Sequence, residues 1–480
     1  MSFELPQFLP AVPEMFLLGM ICFILVVDVF LAESHRLVTY WLALATVAGT
    51  AWLTVAVAQQ GSLLTFGGMF VNDAMGNVLK LFTYLIVAMV FIYSRDYLRD
   101  RSLLKGEYYI LGLTALLGMM IMISAHNMLI VYLGLELNSL SLYAMVALDR
   151  ESPVASEAAM KYFVLGAIAS AVLLYGMSLL YGATGTLDIT GLGVHVASNP
   201  AASIGTLFAL GFIVVGLCFK LGAVPFHMWV PDVYEGSATS VTLFVGSAPK
   251  IASFALFMRL LVEGLGGMHA QWQGLLIGIA VLSMAIGAIV AIAQTNFKRL
   301  MAYSTIGHVG FILMGILAGT TTGYQAAMFY TLTYVITATA GFGLILLLAR
   351  KGFESERLDD FKGLNERSPW FAAMMLVVMF SLAGVPPFVG FFAKLYVLRA
   401  AVEAGLTWLA VTAVVFSIIS AFYYLRVVKL MYFDRAPANS RSVQAEFDLR
   451  WLLSGNGLAI LLLGVLPGPL LALCARVIGF

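Results

Sequence analysis

Four ionisable side chains stand inside long apolar stretches of the sequence. They are Glu136, Lys220, Lys250 and Lys394. One ionisable residue at the centre of a membrane helix costs about 2.5–3.5 kcal/mol on insertion scales, and four together cost roughly 10–14 kcal/mol. A purely structural role does not explain why these charged residues are present at this cost, because replacing buried ion pairs by apolar residues is often neutral or stabilising. We therefore interpret these residues as groups that bind and release a transported ion, with satisfied structural pairs as the alternative.

Polar residues recur around these charges at helical spacing. Tyr132, Ser139 and Tyr143 share one predicted helix face with Glu136, and His308 follows a serine by one turn. Other polar faces are predicted on the tenth, eleventh and thirteenth helices, at Ser304, Tyr330, Tyr334, Thr337, Ser417, Ser420 and Tyr424. Because Ser, Thr and His often hydrogen-bond across membrane helices, packing is the alternative for His308. For Tyr424 and the Ser/Thr residues, packing is the simpler interpretation.

Two of the lysines lie beside prolines that should interrupt a helix. In CFKLGAVPFHMWVPD (218–232), Pro225 has no N–H to offer the carbonyl of Leu221, so a helix must break after Lys220. SLAGVPPFVGFFAKLY (381–396) repeats the pattern with Lys394. Polar backbone at membrane depth is tolerated only inside protein or beside a water-filled cavity. Paired interrupted helices, five helices apart, predict an inverted repeat with a transport site at the breaks.

The elements that must position these residues are membrane helices. Of 480 residues, 61% are hydrophobic and 11% are charged, far from the composition of soluble domains. A span needs about 20 apolar residues, and the sequence predicts an all-α polytopic protein of about fourteen helices. These lie near 12–31, 38–58, 76–94, 108–124, 127–147, 160–182, 203–223, 240–262, 273–293, 300–318, 325–349, 370–398, 406–430 and 452–474.

This order divides the chain into four parts. We predict three N-terminal helices in residues 1–107, a first five-helix repeat in 108–262, a second, inverted repeat in 273–430 and a C-terminal helix in 431–480. The broken helices are the seventh and the twelfth. Nineteen of the 26 Lys and Arg residues fall in loops that follow odd-numbered helices, so both termini are predicted outside by the positive-inside rule. Lys80 and Arg259 stand near helix ends, where we expect them to extend to the membrane surface.

The ion that best fits this chemistry is the proton. No stretch gathers the carboxylates and carbonyls of a dedicated Na⁺ site, whereas burial and a neighbouring charge can shift a lysine enough to load and release a proton. The sequence lacks a GxGxxG after a strand, a Cys cluster and a GxxxxGK[ST] loop. The formal net charge of +1 with no basic block disfavours a nucleic-acid partner. Energy for pumping must therefore come from an ion gradient or from a partner subunit.

Several strings resemble one family closely. YLGLELNSLSLYAMVAL (132–148), CFKLGAVPFHMWVPDVYEGSATSVTLFVGSAPKIASFALF (218–257), KRLMAYSTIGHVGFILMG (298–315) and SLAGVPPFVGFFAKLYV (381–397) resemble the antiporter-like subunit N family of the bacterial proton-pumping NADH:quinone oxidoreductase, complex I. The similarity covers essentially the whole chain. The resemblance implies a subunit of a translocase in the bacterial inner membrane, which couples quinone reduction elsewhere to proton transfer from the cytoplasm to the outside.

The resemblance also implies roles for individual residues. Glu136 would pair with Lys220 and modulate its affinity for a proton. Lys250 would connect the two halves, and His308 would relay protons onward. Lys394 would exchange protons with the outside.

His227, just past the first break, is a weaker candidate for the cytoplasmic input.

The resemblance further implies partners and cofactors. No cofactor would be bound by this chain, because NADH, FMN, the iron–sulfur clusters and the quinone belong to partner subunits in this family. Other membrane-arm subunits would flank the chain on both sides, within the lipid bilayer.

Two other functions remain open at this point. A subunit of a multi-chain Na⁺/H⁺ antiporter would share the fold and the Glu–Lys arrangement, although FHMWVPDVYEG (226–236) favours complex I. A scaffold that completes the membrane arm without pumping is disfavoured by the intact mid-membrane charges.

Overall fold

The fold is an almost wholly helical bundle, described by a computed structural model over residues 7–32, 35–58, 61–199, 203–349, 353–436 and 447–479. The helices in chain order are α1 (Val12–Phe30), α2 (Leu37–Ala56), α3 (Ala74–Asp100), α4 (Gly106–Ser124), α5 (Met128–Val146), α6 (Pro153–Thr184), α7 (Ile189–Ser198), α8 (Ile204–Leu221), α9 (Trp229–Gly236), α10 (Thr239–Gly246), α11 (Ala248–Phe257), α12 (His269–Ile292), α13 (Phe297–Leu317), α14 (Thr321–Leu348), α15 (Leu364–Arg367), α16 (Pro369–Ala383), α17 (Val389–Glu403), α18 (Thr407–Tyr432), α19 (Phe447–Val465) and α20 (Gly468–Val477). A π-helical segment, Met258–Gly264, continues α11, and short 3₁₀ helices span Leu9–Ala11, Gly266–Met268 and Leu358–Phe361. Two short antiparallel strands, β1 (Leu63–Thr65) and β2 (Phe70–Asn72), form a hairpin.

The predicted set of membrane helices is confirmed. Within the described residues, 13 helices are long and apolar enough to cross a membrane. The remaining predicted span, 370–398, is the broken one, and it forms as α16 and α17. The sequence-based prediction missed the hairpin and the short helices α7, α9 and α15 in the loops, and it placed the start of α6 seven residues late. The predicted span 452–474 is divided into α19 and α20, because Pro467 follows the end of α19 at Val465. Three of the nineteen basic residues that were assigned to loops after odd-numbered helices, Arg350, Lys351 and Arg441, lie outside the described residues.

Burial orders the helices from the centre outward. The apolar windows of α14 and of the span formed by α10 and α11 are buried over their whole length, and that of α13 is 94% buried. The windows of α1 and α18 are each only 28% buried, as expected for helices that face lipid or partner proteins. Apolar character does not set this order, because lipid tails are as apolar as a protein interior. The candidate residues lie on or against these central helices.

Helix starts follow side-chain caps that are legible in the sequence. Asp73, Asn127, Asp188 and Asn296 each accept a hydrogen bond from a backbone N–H in the first turn of the helix that they precede. Such caps satisfy donors that a helix leaves free at its N-terminus. The caps therefore fix where α3, α5, α7 and α13 begin.

Both predicted repeats open with the same close helix contact. A Cβ on Gly118 of α4 would lie 2.8 Å from the carbonyl oxygen of Gly134 on α5. A Cβ on Gly287 of α12 would lie 2.4 Å from the backbone nitrogen of Gly307 on α13. Small residues allow membrane helices to approach this closely. The matched glycine contacts, together with the matched broken helices, support the predicted five-helix repeat.

Candidate functional site

The first helix break lies at the end of α8 and exposes backbone carbonyls inside the bundle. The helix ends at Leu221 because Gly222 takes a left-handed conformation, with φ +86°, and because Pro225 cannot continue the hydrogen-bond ladder. The carbonyl of Leu221 accepts a hydrogen bond of 2.8 Å from the Lys250 amine on α11. That amine is buried and lies 5.4 Å from the ring centre of Trp229. A lysine from another helix thus satisfies the acceptor that the proline leaves free.

The second break, between α16 and α17, has the same arrangement. Gly384 ends α16 with φ +85°. The Lys394 amine donates to the carbonyl oxygens of Leu382 at 3.1 Å and Ala383 at 2.9 Å, and to Ser417 Oγ at 2.9 Å. All three of its donors are therefore used, and the side chain is only 6% exposed.

The two breaks are alike in how a lysine amine binds their free carbonyls, but the lysines that do so are not the pair that the sequence suggests. The sequence suggests that Lys220 and Lys394 correspond, since each lies near a proline-interrupted segment. In the structure, Lys250 and Lys394 occupy equivalent places, because each amine binds the free carbonyls of a broken helix. Lys220 belongs to α8 itself and binds elsewhere.

The Lys220 amine faces α5. It donates to Ser139 Oγ at 2.8 Å and makes no direct ion pair with Glu136 among the described contacts. Glu136 lies one turn before Ser139 on the same face of α5, as the sequence predicts. Its Oε1 atom is buried and has no hydrogen-bond partner. The hydrogen bond to Ser139 thus holds the Lys220 amine against α5, one turn from Glu136 along the helix, without a direct ion pair among the described contacts.

His308 lies on α13 between two phenols. Its Nδ1 atom is 2.6 Å from the Tyr330 hydroxyl, and its Nε2 atom is 3.0 Å from the Tyr424 hydroxyl. The Tyr424 hydroxyl also hydrogen-bonds the hydroxyl of Ser304. A neutral imidazole has one donor and one acceptor nitrogen, and it exchanges these roles when it takes up one proton and loses another. Tyr424, for which packing was the simpler interpretation, is therefore a direct partner of His308.

A small cavity of about 10 Å³ joins His308 to the second break. It is lined by His308, by Leu382, whose carbonyl binds Lys394, and by Gly390 at the start of α17. A cavity needs roughly 10–15 Å³ to hold one water molecule. The cavity therefore extends from the imidazole to the end of α16, where the Leu382 carbonyl accepts a hydrogen bond from the Lys394 amine.

His227 is placed apart from the other candidates. It is half-buried in the segment between α8 and α9, and its Nδ1 atom is buried without a hydrogen-bond partner. No described hydrogen bond connects it to the three lysines or to His308.

The expectation that Lys80 and Arg259 extend to the membrane surface is wrong. Lys80 is 2% exposed, and its amine lies 2.5 Å from Glu14 Oε1. Arg259 is also 2% exposed, and its guanidinium lies 2.7 Å from both Asp73 and Glu263. Two of these carboxylates are distant in sequence, so the folded bundle creates partners that helix-end position alone could not reveal. The acidic residues near the helix ends, Glu14, Asp73 and Glu263, were the sequence feature that could have suggested these ion pairs.

A network of surface charges anchors α9 beside the first break. Asp232 accepts hydrogen bonds of 2.9 Å from Lys161 of α6 and from Arg299 of α13. Partial burial raises the pKa of Asp232, but these two hydrogen bonds outweigh it, so the net pKa lies below the usual value. The carboxylate therefore stays ionised and ties three elements together.

The chain is similar over nearly its whole length to proteins of one family. The family described as NADH:quinone oxidoreductase/Mrp antiporter, TM, matches residues 125–420. The chain is 59% identical over the whole of both chains to NADH-quinone oxidoreductase subunit N of Thioalkalivibrio sulfidiphilus. Its fold matches a chain of respiratory complex I from Thermus thermophilus with a TM-score of 0.83 and 31% identity, covering 96% of this chain and 99% of that one. A chain of the Mrp complex from Dietzia sp. matches with a TM-score of 0.85, covering 98% and 97%, but at 21% identity it shows the shared fold alone.

Proposed function

The chain belongs to the NADH:quinone oxidoreductase/Mrp antiporter family, among the subunits N of NADH-quinone oxidoreductase, and we propose that it moves protons from the cytoplasm to the outside. The protein is a multi-pass membrane protein. The bilayer would be the bacterial inner membrane, with both termini outside. The charge distribution supports this orientation, because most basic residues lie in or next to the loops that follow odd-numbered spans in the predicted order of fourteen.

The proposed relay uses the buried ionisable groups in chain order along the bundle, namely Glu136, Lys220, Lys250, His308 and Lys394. The observation that carries the proposal is the placement of two lysine amines on the free carbonyls of broken helices. Burial disfavours the charged amine, whereas carbonyl acceptors favour it. A small change nearby can therefore decide whether the amine holds its proton, as a transport step requires.

His308 supports the same function on the far side of the bundle. Its two phenol partners allow a proton to enter at one ring nitrogen while another leaves from the other. The cavity beside that ring reaches Leu382, whose carbonyl accepts a hydrogen bond from the Lys394 amine. We place the exit to the outside at Lys394. His227 keeps a weaker place in the proposal, at the cytoplasmic input.

We propose that the redox chemistry takes place on partner subunits. The relatives are named as subunits of NADH-quinone oxidoreductase, so this chain would be one module of a multi-subunit translocase. NADH, FMN, iron–sulfur clusters and quinone would be held by the partners. Membrane-arm subunits would pack against both flanks of the bundle, where α1 and α18 are largely exposed.

A test of the relay is the effect of Glu136→Ala and Lys220→Ala on NADH-driven proton pumping in inverted membrane vesicles. We expect both variants to lower pumping while the complex still assembles. Ile168→Ala is a control for truncation of an exposed apolar side chain, because Ile168 lies on α6 and is 58% exposed. Normal pumping in both test variants, with assembly verified, would refute the relay roles.

The alternative is a subunit of a Na⁺/H⁺ antiporter, because the matching family description includes the Mrp antiporters. The greater identity to complex I relatives favours the first proposal. The two functions differ in their energy source. NADH-driven acidification of vesicles in Na⁺-free buffer supports the complex I role, whereas proton movement that needs a Na⁺ gradient and no NADH supports the antiporter.

A further inference from the structure

The last membrane span of each five-helix repeat carries an arginine near its end. These spans are Thr239–Gly264 in the first repeat and Thr407–Tyr432, which is α18, in the second, and each has 26 residues. Arg259 stands five residues before the end of the first span, and Arg426 stands six residues before the end of the second. Because the second repeat is inverted, the two arginines lie at opposite sides of the membrane. In the orientation proposed above, Arg259 is at the outer end and Arg426 is at the cytoplasmic end.

The two arginines are also matched in their distance from the helix breaks. Nine residues before Arg259 is Lys250, whose amine binds the free carbonyl at the first break. Nine residues before Arg426 is Ser417, whose hydroxyl accepts a hydrogen bond from the Lys394 amine at the second break. Nine residues rise about 13.5 Å along a helix. Each arginine therefore lies well beyond the break, towards the end of its own repeat.

Both arginines bind the same part of their repeat, which is the carboxyl end of its first helix. Arg259 Nε donates to the carbonyl of Ile123 at 3.2 Å, one residue before the end of α4. Arg426 Nη1 donates to the carbonyl of Ile292, the last residue of α12, at 3.2 Å, and to that of Gln294 at 3.4 Å. The last carbonyls of a helix have no partner within the helix, and the helix dipole favours a cation beside them. Each arginine thus joins the last helix of its repeat to the first.

The contacts of Arg259 close the outer end of the first repeat. Its side chain is only 2% exposed, and its guanidinium also binds Glu263 and Asp73, the carboxylate that caps α3, at 2.7 Å each. It belongs to the π-helical segment Met258–Gly264, and π-helical turns are frequent at functional sites. One side chain therefore holds the ends of three helices together. Arg426 is half-buried at the cytoplasmic end of the second repeat.

A guanidinium suits such a place because it does not pass protons on. It has five donors and no acceptor, and it does not lose its proton in proteins. In membrane pores, an arginine can form an electrostatic barrier that excludes protons and other cations. A lysine has the same charge, but its pKa shifts readily on burial, so it can release a proton. The presence of arginine rather than lysine distinguishes both helix ends from the two breaks, where Lys250 and Lys394 bind.

We propose that Arg259 and Arg426 are matched closures, each of which stops protons from leaking through the far end of its repeat. This inference rests on the proposed function, since a closure matters only if the breaks hold transported protons. Arg259 separates Lys250 from the outside, and Arg426 separates Lys394 from the cytoplasm. A proton must therefore pass through both repeats to cross the membrane.

The experiment measures passive proton leak through the intact complex, purified and reconstituted in liposomes, without NADH. A potassium diffusion potential set with valinomycin drives the protons, and a trapped pH-sensitive dye reports their entry. Arg259→Lys and Arg426→Lys keep the charge and introduce a group that can release its proton. Proton transfer by a positioned group typically contributes 10²–10⁴-fold, so we expect each variant to raise the leak at least about twofold over the unmodified complex.

Arg95→Lys is the matched control. Like Arg259, Arg95 is largely buried and binds two carboxylates, since its side chain is 13% exposed and lies 3.0 Å from Asp96 and 2.8 Å from Asp448. It lies on α3, outside both repeats. We expect Arg95→Lys to leave the leak unchanged. An equal rise in this control overturns the closures, because it would show that any such change loosens the bundle.

Combined variants show whether a leak passes through the relay. Lys250→Met should remove the leak of Arg259→Lys but not that of Arg426→Lys, and Lys394→Met should do the reverse. A merely structural defect would leak whether or not these lysines are present. Unchanged leaks in both arginine variants, a leak in only one of two assembled variants, or leaks that the methionine changes do not remove overturn the inference.

Failure of the closures can be told apart from failure of the proposed function. If the arginine variants do not leak while Lys250→Met lowers the protons moved per NADH, the closures fail and the relay stands. If Lys250→Met pumps normally, the proposed function itself fails. If Arg259→Lys does not assemble, the half-buried Arg426 decides alone, by the leak of Arg426→Lys and its removal by Lys394→Met.

Discussion

Replacing Lys394 separates what its amine does for the structure from what it does for transport. Three substitutions distinguish the structural role of the amine from its role in transport. Lys394→Met removes charge and donors, Lys394→Gln keeps neutral donors, and Lys394→Arg keeps charge and donors but holds its protons permanently, because a guanidinium does not titrate in proteins. Only lysine can both bind the carbonyls of the broken helix and give up a proton. We expect all three variants to lose proton transfer through this chain.

The contacts of Lys394 indicate how much stability each variant loses. Lys394→Met leaves the carbonyls of Leu382 and Ala383 without this donor. Two buried unsatisfied groups cost about 1–3 kcal/mol each, or roughly 2–6 kcal/mol in total. Removing a buried ammonium relieves a desolvation penalty of several kcal/mol. The two effects are of similar size, so we expect the methionine variant to assemble, and the glutamine variant to assemble at least as well.

The assay is NADH-driven quenching of a pH-sensitive dye in inverted vesicles, divided by the rate of NADH oxidation in the same sample. The amount of assembled complex is measured by native gel electrophoresis. We expect assembly near that of the unmodified protein for Lys394→Gln, with a clear fall in dye quenching per NADH. Lys394→Arg should behave in the same way if its larger head is accommodated.

One result would refute this reasoning. If Lys394→Arg assembles and pumps as well as the unmodified protein, the residue need not release a proton, and its role is to bind the carbonyls of the broken helix. Failure of assembly in all three variants would contradict the free-energy estimate, because it would show that the amine contributes more to structure than its desolvation costs.

Three further predictions follow from individual contacts. Lys80→Met alone should lower the amount of chain in the membrane, because it leaves the buried Glu14 carboxylate without its partner at a cost of about 3–5 kcal/mol. The double variant with Glu14→Gln should recover most of that amount. Equal yields in all variants, measured by immunoblot, would contradict this prediction. The pKa of Asp232 is lowered in the folded protein, so its contribution to stability is present above the unfolded value near 3.9 and is lost as pH falls through the lower, folded value. The melting temperature of Asp232→Asn should therefore lie below that of the unmodified protein at neutral pH and converge with it as the pH is lowered into that acid range; a constant difference would count against the ion pairs. Gly384→Ala and Gly405→Ala both place alanine at positive φ, at about 1–2 kcal/mol each, but only at Gly384 would the new Cβ crowd the amine that binds α16. Pumping per NADH should thus fall in Gly384→Ala alone, and a similar fall in both would show backbone strain to be the cause.

The sequence predicts the helices and both breaks because these depend on local chemistry. Apolar length determines the spans, and a proline removes a donor that its own helix cannot replace. The positions of Lys220, Lys250 and Lys394 at bundle depth could also be predicted, because a charged residue within an apolar stretch can be read directly from the sequence. The short helix α7 and the hairpin escaped because ten residues and two three-residue strands are too brief for a periodic signal.

The partners of the buried amines could not be predicted in the same way. Lys250 and Lys394 bind backbone carbonyls, and a carbonyl looks the same at every residue of a sequence. The partner of Lys80 is 66 residues away, so burial of that pair depends on how α1 packs against α3.

The most direct test of the account is the number of protons moved per NADH oxidised by purified, reconstituted complex that carries Lys250→Met. Lys250 is the buried amine that binds the free carbonyl at the first break. The account predicts a lower ratio than in the unmodified complex, measured at equal amounts of assembled protein. An unchanged ratio at an unchanged rate of NADH oxidation would contradict it.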